Sequence, residues 1–280
     1  MKMKSMLTIY RLFQQYRINP RFALNNFHEK HSHYSSLNAT RNLVSRAFKQ
    51  EIILKPELYC NCGISIFLYN DDRNPLKELK KLKKDPSVTY AMALCGGYSL
   101  LVLRKGASEL SFASRVPPTF PSEKKLEELY FDEKGTLPID KYPHGWDEID
   151  WEVYYLMKNP TISYTDAARN SQLARQTIKR HYKKILQDCK IQVSFLPHGY
   201  RWYDKLLLQF KTKYEIGLQK ALKELDRTSN LWKFKDFIIL YLFVDDSNET
   251  ANRFEHLEEV GLIEKLKVSI PIRYHAPQSD

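Results

Sequence analysis

The chain has 280 residues, 43% hydrophobic and 13% aromatic, enough for about two domains with real cores and too apolar for a disordered tail. Lys and Arg number 44 against 33 Asp and Glu, a net charge of +11, and such an excess attracts polyanions, nucleic acid first and anionic membrane second. No run approaches the roughly 18 apolar residues of a membrane span, MKMKSMLTIYRLFQQYRINP lacks a signal-peptide cleavage site, and Cys60, Cys62, Cys95 and Cys189 are scattered, so a reducing cytoplasm is expected.

In chain order, apolar spacing predicts helices over 6–16, 21–30 and 37–50. A strand follows at 62–69, then a helix at 75–84 that opens on proline, which is favoured there. Strands at 88–94 and 98–103 flank Gly96–Gly97, a hairpin turn that wants positive φ. The next stretch, ELSFASR, leaves the last helix and strand of this half undecided. Residues 115–145 hold Pro117, Pro118, Pro121, Pro138 and Pro143 and read as a linker, with a short helix at 122–130 capped by Ser122. Beyond it, helices are predicted at 146–158, 164–170 and 174–187, and a strand at 203–213. A helix at 214–226, two strands within 231–244 around Lys235–Asp236, a helix at 248–259 and a strand at 263–272 complete the chain. Three helices and then βαββ appear twice, an internal repeat at about half the chain.

On a helical wheel of about 100° per residue, residues 174–187 divide sharply. Ile178, Tyr182 and Ile185 share one side, while Arg175, Gln176, Lys179, Arg180, Lys183 and Lys184 spread over the other, with His181 a further cation if protonated. A short helix, the turn at 170–173 and this helix match a helix-turn-helix, whose last helix turns its outer face to the major groove. Lys and Arg neutralise phosphates; Gln176, Thr177 and Arg180 reach base edges. The blander alternative is a solvated charged helix.

The stretch WDEIDWEVYYLMKNPTISYTDAARNSQLARQTIKRHYKKILQDCKI resembles the Lrp/AsnC (feast/famine) transcription regulators. A first helix opens on Asp-x-x-Asp (Asp147, Asp150), Ala167–Ala168 sit in the second, and the third ends before Ile191. Ala174 stands where the family usually has serine, His181 where it has arginine, and Cys189 where it has the glycine before a hinge strand. The resemblance implies an α+β fold: a tandem repeat of helix-turn-helix followed by a ferredoxin-like (βαββαβ) sensing domain. The expected segments are 1–57 and 58–115 for the first copy, a linker at 116–145, and 146–198 and 199–280 for the second. It further implies DNA contacts from Arg175, Gln176, Thr177, Lys179, Arg180, Lys183 and Lys184.

YSSLNATRNLVSRAFKQEIIL matches the pattern more weakly, with Ala39, Leu43, Ala47 and Ile52 inward and Asn38, Thr40, Arg41 and Ser45 outward. ALCGGYSLLVL is similar to the turn where family members bind a small effector such as an amino acid, which implicates Gly96, Gly97 and Tyr98. Regulators of this family associate through their sheets. A two-copy chain can do so internally, as a covalent pseudo-dimer whose half-sites need not match, and exposed sheet edges would allow further self-association.

His28, His31 and His33 in FHEKHSH read as a polar turn with exposed imidazoles rather than a metal site, which needs converging ligands. No phosphate-binding or hydrolase motif appears, and neither cofactor nor catalytic residue is expected. The reading is of a DNA-binding regulator that is not an enzyme, with two alternatives. Some relatives of this architecture are siroheme decarboxylases acting on a tetrapyrrole, which would need histidines and arginines lining a sheet-side pocket; His198 and Arg201 are the candidates. The other is a module that binds an acidic protein partner through 174–187.

Overall fold

The structure, a computed structural model, describes residues 1–70, 74–106 and 109–275. Its first copy runs α1 (Met3–Ile18), α2 (Leu24–His31), α3 (Leu37–Lys49), β1 (Ile53–Tyr59), β2 (Ile64–Tyr69), α4 (Pro75–Leu82), β3 (Val88–Gly96), β4 (Leu100–Lys105) and β5 (Leu110–Val116). The second runs α5 (Glu148–Leu156), α6 (Tyr164–Arg169), α7 (Arg175–Ile185), β6 (Lys190–Phe195), β7 (Asp204–Lys211), α8 (Glu215–Glu224), β8 (Ser229–Phe234), β9 (Phe237–Val244), α9 (Ser247–Glu259) and β10 (Glu264–His275). The fold is α+β, a tandem of three-helix and ferredoxin-like segments. Among the described residues no helix is long and apolar enough to cross a membrane.

In space the copies intermix. One compact unit is Met1–Cys60 with Pro143–Trp202; the other is Asn61–Tyr142 with the chain from Tyr203 on. The first therefore holds both helical triplets. β1 and β6 join them as an antiparallel ribbon. β1 escapes the period-2 reading because Lys55, Pro56 and Glu57 interrupt it, and the register shifts between Leu54 and Glu57, since a strand accommodates proline at a bulge. α1 stacks on this ribbon, with the Tyr10 and Phe13 rings 5.3 and 5.6 Å from Phe195. Gly199, at φ +89°, lets the chain pass Gln50: a Cβ there would stand 2.3 Å from the Gln50 carbonyl oxygen.

The second unit is one eight-stranded sheet in the order β2-β4-β3-β10-β7-β9-β8-β5. Within it β10-β7-β9-β8 is the complete ferredoxin-like order of the second copy. The first copy supplies β2-β4-β3 and then departs from the plan: no helix intervenes between β4 and β5 among the described residues. β5 pairs instead with β8 of the second copy, while β10 of the second copy pairs with β3 of the first. Each half thus lends its last strand to the other. At the start of β5 the Glu109 amide donates to the Ile64 carbonyl at 3.2 Å, bringing the two ends of the sheet together.

The proline-rich segment is a strap over the second copy's core. Leu126, Leu129, Phe131 and Leu137 are buried there with Phe210, Leu218 and Phe254. The helix expected at 122–130 shrinks to a 3₁₀ turn at Leu126–Glu128. Ser122 is no N-cap, because its hydroxyl donates to the Glu224 carbonyl at the end of α8, at 2.5 Å. Burying those leucines outweighs regular helix in so short a segment.

Candidate functional site

α5, α6 and α7 form the helix-turn-helix of the second copy. α5 starts with a reciprocal capping box, the Asp150 amide donating to Asp147 at 2.8 Å and the Asp147 amide to Asp150 at 3.0 Å. Ser163 caps α6 by accepting from the Asp166 amide at 3.0 Å. α7 has no side-chain cap, since Ala174 occupies that position. Its inner face, Ile178, Tyr182 and Ile185, is fully packed. Arg175, Gln176, Lys179, Arg180, Lys183 and Lys184 are exposed, and Thr177 is half-buried.

His181 departs from the expected cationic face. It is buried, and its Nδ1 lies 2.7 Å from Asp150 Oδ1 while its Nε2 lies 3.2 Å from Arg180 Nη2. In this arrangement Nδ1–H donates to the carboxylate and Nε2 accepts from Arg180. The ring therefore acts as a strut under α7. Asp150, fully buried, also accepts from the Lys184 ammonium. Burial pushes its carboxyl up, but hydrogen bonds from Lys184, the Asp147 amide and His181 outweigh this and hold it below the usual range. Asp147, Asp150 and His181 are close enough to share a metal ion, yet Lys184 already supplies Asp150 with a cation.

The first copy is built differently. Asn38, Arg41 and Ser45 are exposed on α3, and Arg41 Nη1 donates to Asn38 Oδ1 at 2.9 Å. Thr40 corrects the expectation: it is fully buried, its hydroxyl 2.8 Å from His28 Nδ1 and 2.6 Å from Ser32 Oγ. Leu43, Ala47 and Ile52 are buried as the spacing predicts, and only the first inward position differs, Thr40 in place of the half-buried Ala39. A hydroxyl reads as outward in sequence, and only the imidazole beneath it makes inward placement favourable. Of the three histidines, His33 is exposed as expected, whereas His28 and His31 are half-buried within α2, and each ring has a neighbour. His28 is bonded to Thr40, His33 Nδ1 lies 2.8 Å from Thr8 Oγ1, and the His31 ring packs 5.4 Å from Phe27.

Arg21, between α1 and α2, has a role its sequence context did not signal. Its guanidinium lies over the rings of Tyr164, at 3.9 Å, and Tyr182, at 5.0 Å, and donates to the Ile162 carbonyl. It plugs the first helical triplet into the second by cation–π stacking. No local pattern points to a partner 141 residues away.

Gly96, Gly97 and Tyr98 serve the joint between the halves of the sheet. Gly97 N donates to the Val268 carbonyl at 2.7 Å, Tyr98 N to Ser269 Oγ at 3.0 Å, and the Tyr98 hydroxyl to Gln209 at 2.7 Å. A Cβ on Gly96, whose φ is +110°, would stand 2.8 Å from the Val268 oxygen. Glycine is required here for close strand approach, and the amides expected to face an effector are engaged by β10. His198 is exposed beside Trp202, and Arg201 pairs with Glu51 at 3.2 Å. In the second unit, a cleft of about 370 Å³ is lined by Lys211, Lys213, Lys233, Lys235, Glu215 and Asp236, with Lys233 on Glu215 at 2.8 Å and Lys211 on Asp236.

No protein-family model matches the chain, and no curated protein matches it. Solved structures of one enzyme are among those that share its fold. The crystal structure of the siroheme decarboxylase NirDL has a TM-score of 0.55 and 8% identity, over 96% of this chain and 91% of that one. NirDL in complex with an iron-uroporphyrin III analogue has a TM-score of 0.55 and 7% identity, over 95% and 92%. At that identity the likeness is one of fold. It nevertheless corrects the expectation that the chain is not an enzyme: the architecture it shares almost end to end is that of an enzyme.

Proposed function

We propose that the first unit docks on duplex DNA through the outer face of α7, as a regulator of transcription whose two half-sites differ. The reading rests on one observation: Arg175, Lys179, Arg180 and Lys183 are exposed on a helix that carries no carboxylate, above a packed and hydrogen-bonded inner face. A fixed cationic helix of this kind suits a major groove flanked by phosphates. Four neutralised phosphates give a log–log dependence of affinity on salt with a slope of about −3.6, measurable by fluorescence anisotropy. A salt-insensitive complex overturns the reading. Selection from a random duplex pool is expected to return unlike half-sites, because α3 offers Asn38, Arg41 and Ser45 where α7 offers Gln176, Lys179 and Arg180; a perfect palindrome counts against it.

A second reading, decarboxylation of a tetrapyrrole, is supported by the end-to-end likeness to NirDL. His198 and Arg201, the side chains first considered for it, lie in the first unit, exposed and ion-paired respectively. The cleft of the second unit is the other candidate: Lys213 is exposed at its wall, while Lys211, Lys233 and Lys235 are each held by a carboxylate that a substrate carboxylate would have to replace. Titration of the protein with iron-uroporphyrin III is expected to shift the Soret band. An unchanged spectrum overturns this second reading and leaves the first intact.

A further inference from the structure

We propose that α4 is a separate docking surface, in the second unit, for the phosphate backbone of nucleic acid. Between Lys77 and Lys84 five of eight residues are lysine, and all five, Lys77, Lys80, Lys81, Lys83 and Lys84, are exposed. The helix that carries them is fixed at its N-terminus and from beneath. Asn74 caps the helix by accepting from the Leu76 and Lys77 amides at 3.1 and 3.2 Å, with Pro75 as its first residue. Leu79 and Leu82 anchor the inner face on Val88, Ala91 and Val102. The nearby acids are engaged: Glu78 with Lys81 at 2.7 Å, and Asp85 with Ser87 at 2.6 Å and Arg104 at 2.5 Å. Burial, with a smaller contribution from the charge of Lys83, holds the neighbouring His275 imidazole below its ordinary range.

The stripe from Lys77 through Lys80 to Lys84, with Lys81 beside it held by Glu78, is about 10 Å long at ~1.5 Å per residue. A duplex carries about six charges over that distance. A bilayer is the poorer partner, because a helix lying in a membrane turns its apolar face outward. α4 turns Leu79 and Leu82 onto its own sheet, Leu82 partly buried, and leaves Leu76 exposed at its start. The equivalent helix of the second copy provides the contrast. α8 carries Lys220 and Lys223 against Glu215 and Glu224, and Lys220 is neutralised by Glu133 at 2.6 Å. The lysine surface is therefore particular to the first copy and not imposed by the fold.

The proposal stands without α7 and is tested on the full chain. K77Q/K80Q/K84Q is compared with K220Q/K223Q on α8, folding being checked by circular dichroism. The probes are a fluorescent random duplex of about 30 base pairs and, separately, phosphatidylserine vesicles. Three lost contacts are expected to flatten the log–log salt slope by about 2.7 in the α4 variant, with the α8 variant close to wild type. An unchanged slope overturns the proposal, and an unchanged slope with lost vesicle binding assigns the surface to membranes instead. A flattened slope in the α4 variant together with a wild-type slope in R175Q/K179Q/R180Q keeps this proposal and overturns that for α7; the reverse pair of results does the opposite.

Discussion

The third helices of the two triplets, α3 and α7, occupy equivalent places and are held by opposite chemistry. Under α7 lies a charged network, the Asp150 carboxylate with His181 and Lys184. Under α3 lies a neutral one, the Thr40 hydroxyl with His28 and Ser32. Outside, α7 carries five lysines and arginines and α3 carries Arg41, Arg46 and Lys49. The difference teaches that one backbone plan can be anchored by either kind of polar contact, provided each buried group is partnered, and that the anchoring charge also engages the ammonium of the exposed Lys184.

The comparison breaks most severely at Asp150. Asp150→Ala leaves His181 and the α5 cap without their acceptor and is expected to cost about 3–4 kcal/mol, against about 1–2 kcal/mol for Thr40→Val, both read from urea unfolding. Equal costs would show that the two anchors are energetically alike. pH sharpens the same contrast. Because the folded Asp150 carboxyl sits below its ordinary value, its contribution is fully present above about pH 4 and is lost as pH falls through the lower folded value. The stability gap between wild type and Asp150→Asn should therefore narrow near pH 3, whereas the gap for Thr40→Val should not narrow with it.

On the outer faces, R175Q/K179Q/R180Q is expected to flatten the salt slope of duplex binding by about 2.7, and R41Q by about 0.9. A larger effect from α3 would transfer the main contact to the first copy. The hairpins give the smallest pair. Gly96→Ala forces a Cβ against Val268 at positive φ and is expected to lower stability by about 1–2 kcal/mol. In the second copy Lys235 holds φ +54° without being glycine, so Lys235→Gly should gain about 0.5 kcal/mol, measured by thermal unfolding. A loss there would show that the Lys235–Glu109 pair, at 2.9 Å, matters more than the backbone conformation.

Local pattern carried most of the elements. The period of Ile178, Tyr182 and Ile185 placed α7 and its exposed face, and the Pro75 start and the Gly96–Gly97 turn placed α4 and the β3–β4 hairpin. These are decided by nearest neighbours along the chain, where propensity and side-chain period act. The run of five lysines in α4 was equally in view and needed only the knowledge that Leu79 and Leu82 turn inward. The lysine-lined cleft was not: Lys211, Lys233 and Gly261 converge only once the sheet has formed.

Partnership between distant segments was left to the tertiary structure. Thr40 and His181 are polar residues that sequence assigns to water, and each is buried because a complementary group waits beneath it. Arg21 finds two tyrosines far along the chain. β5 and β10 cross to the opposite half because each half's second strand has an edge to satisfy. A chain can write the period of its own helices and strands, but hydrogen-bond satisfaction and edge pairing are long-range conditions, met only when both partners are in place.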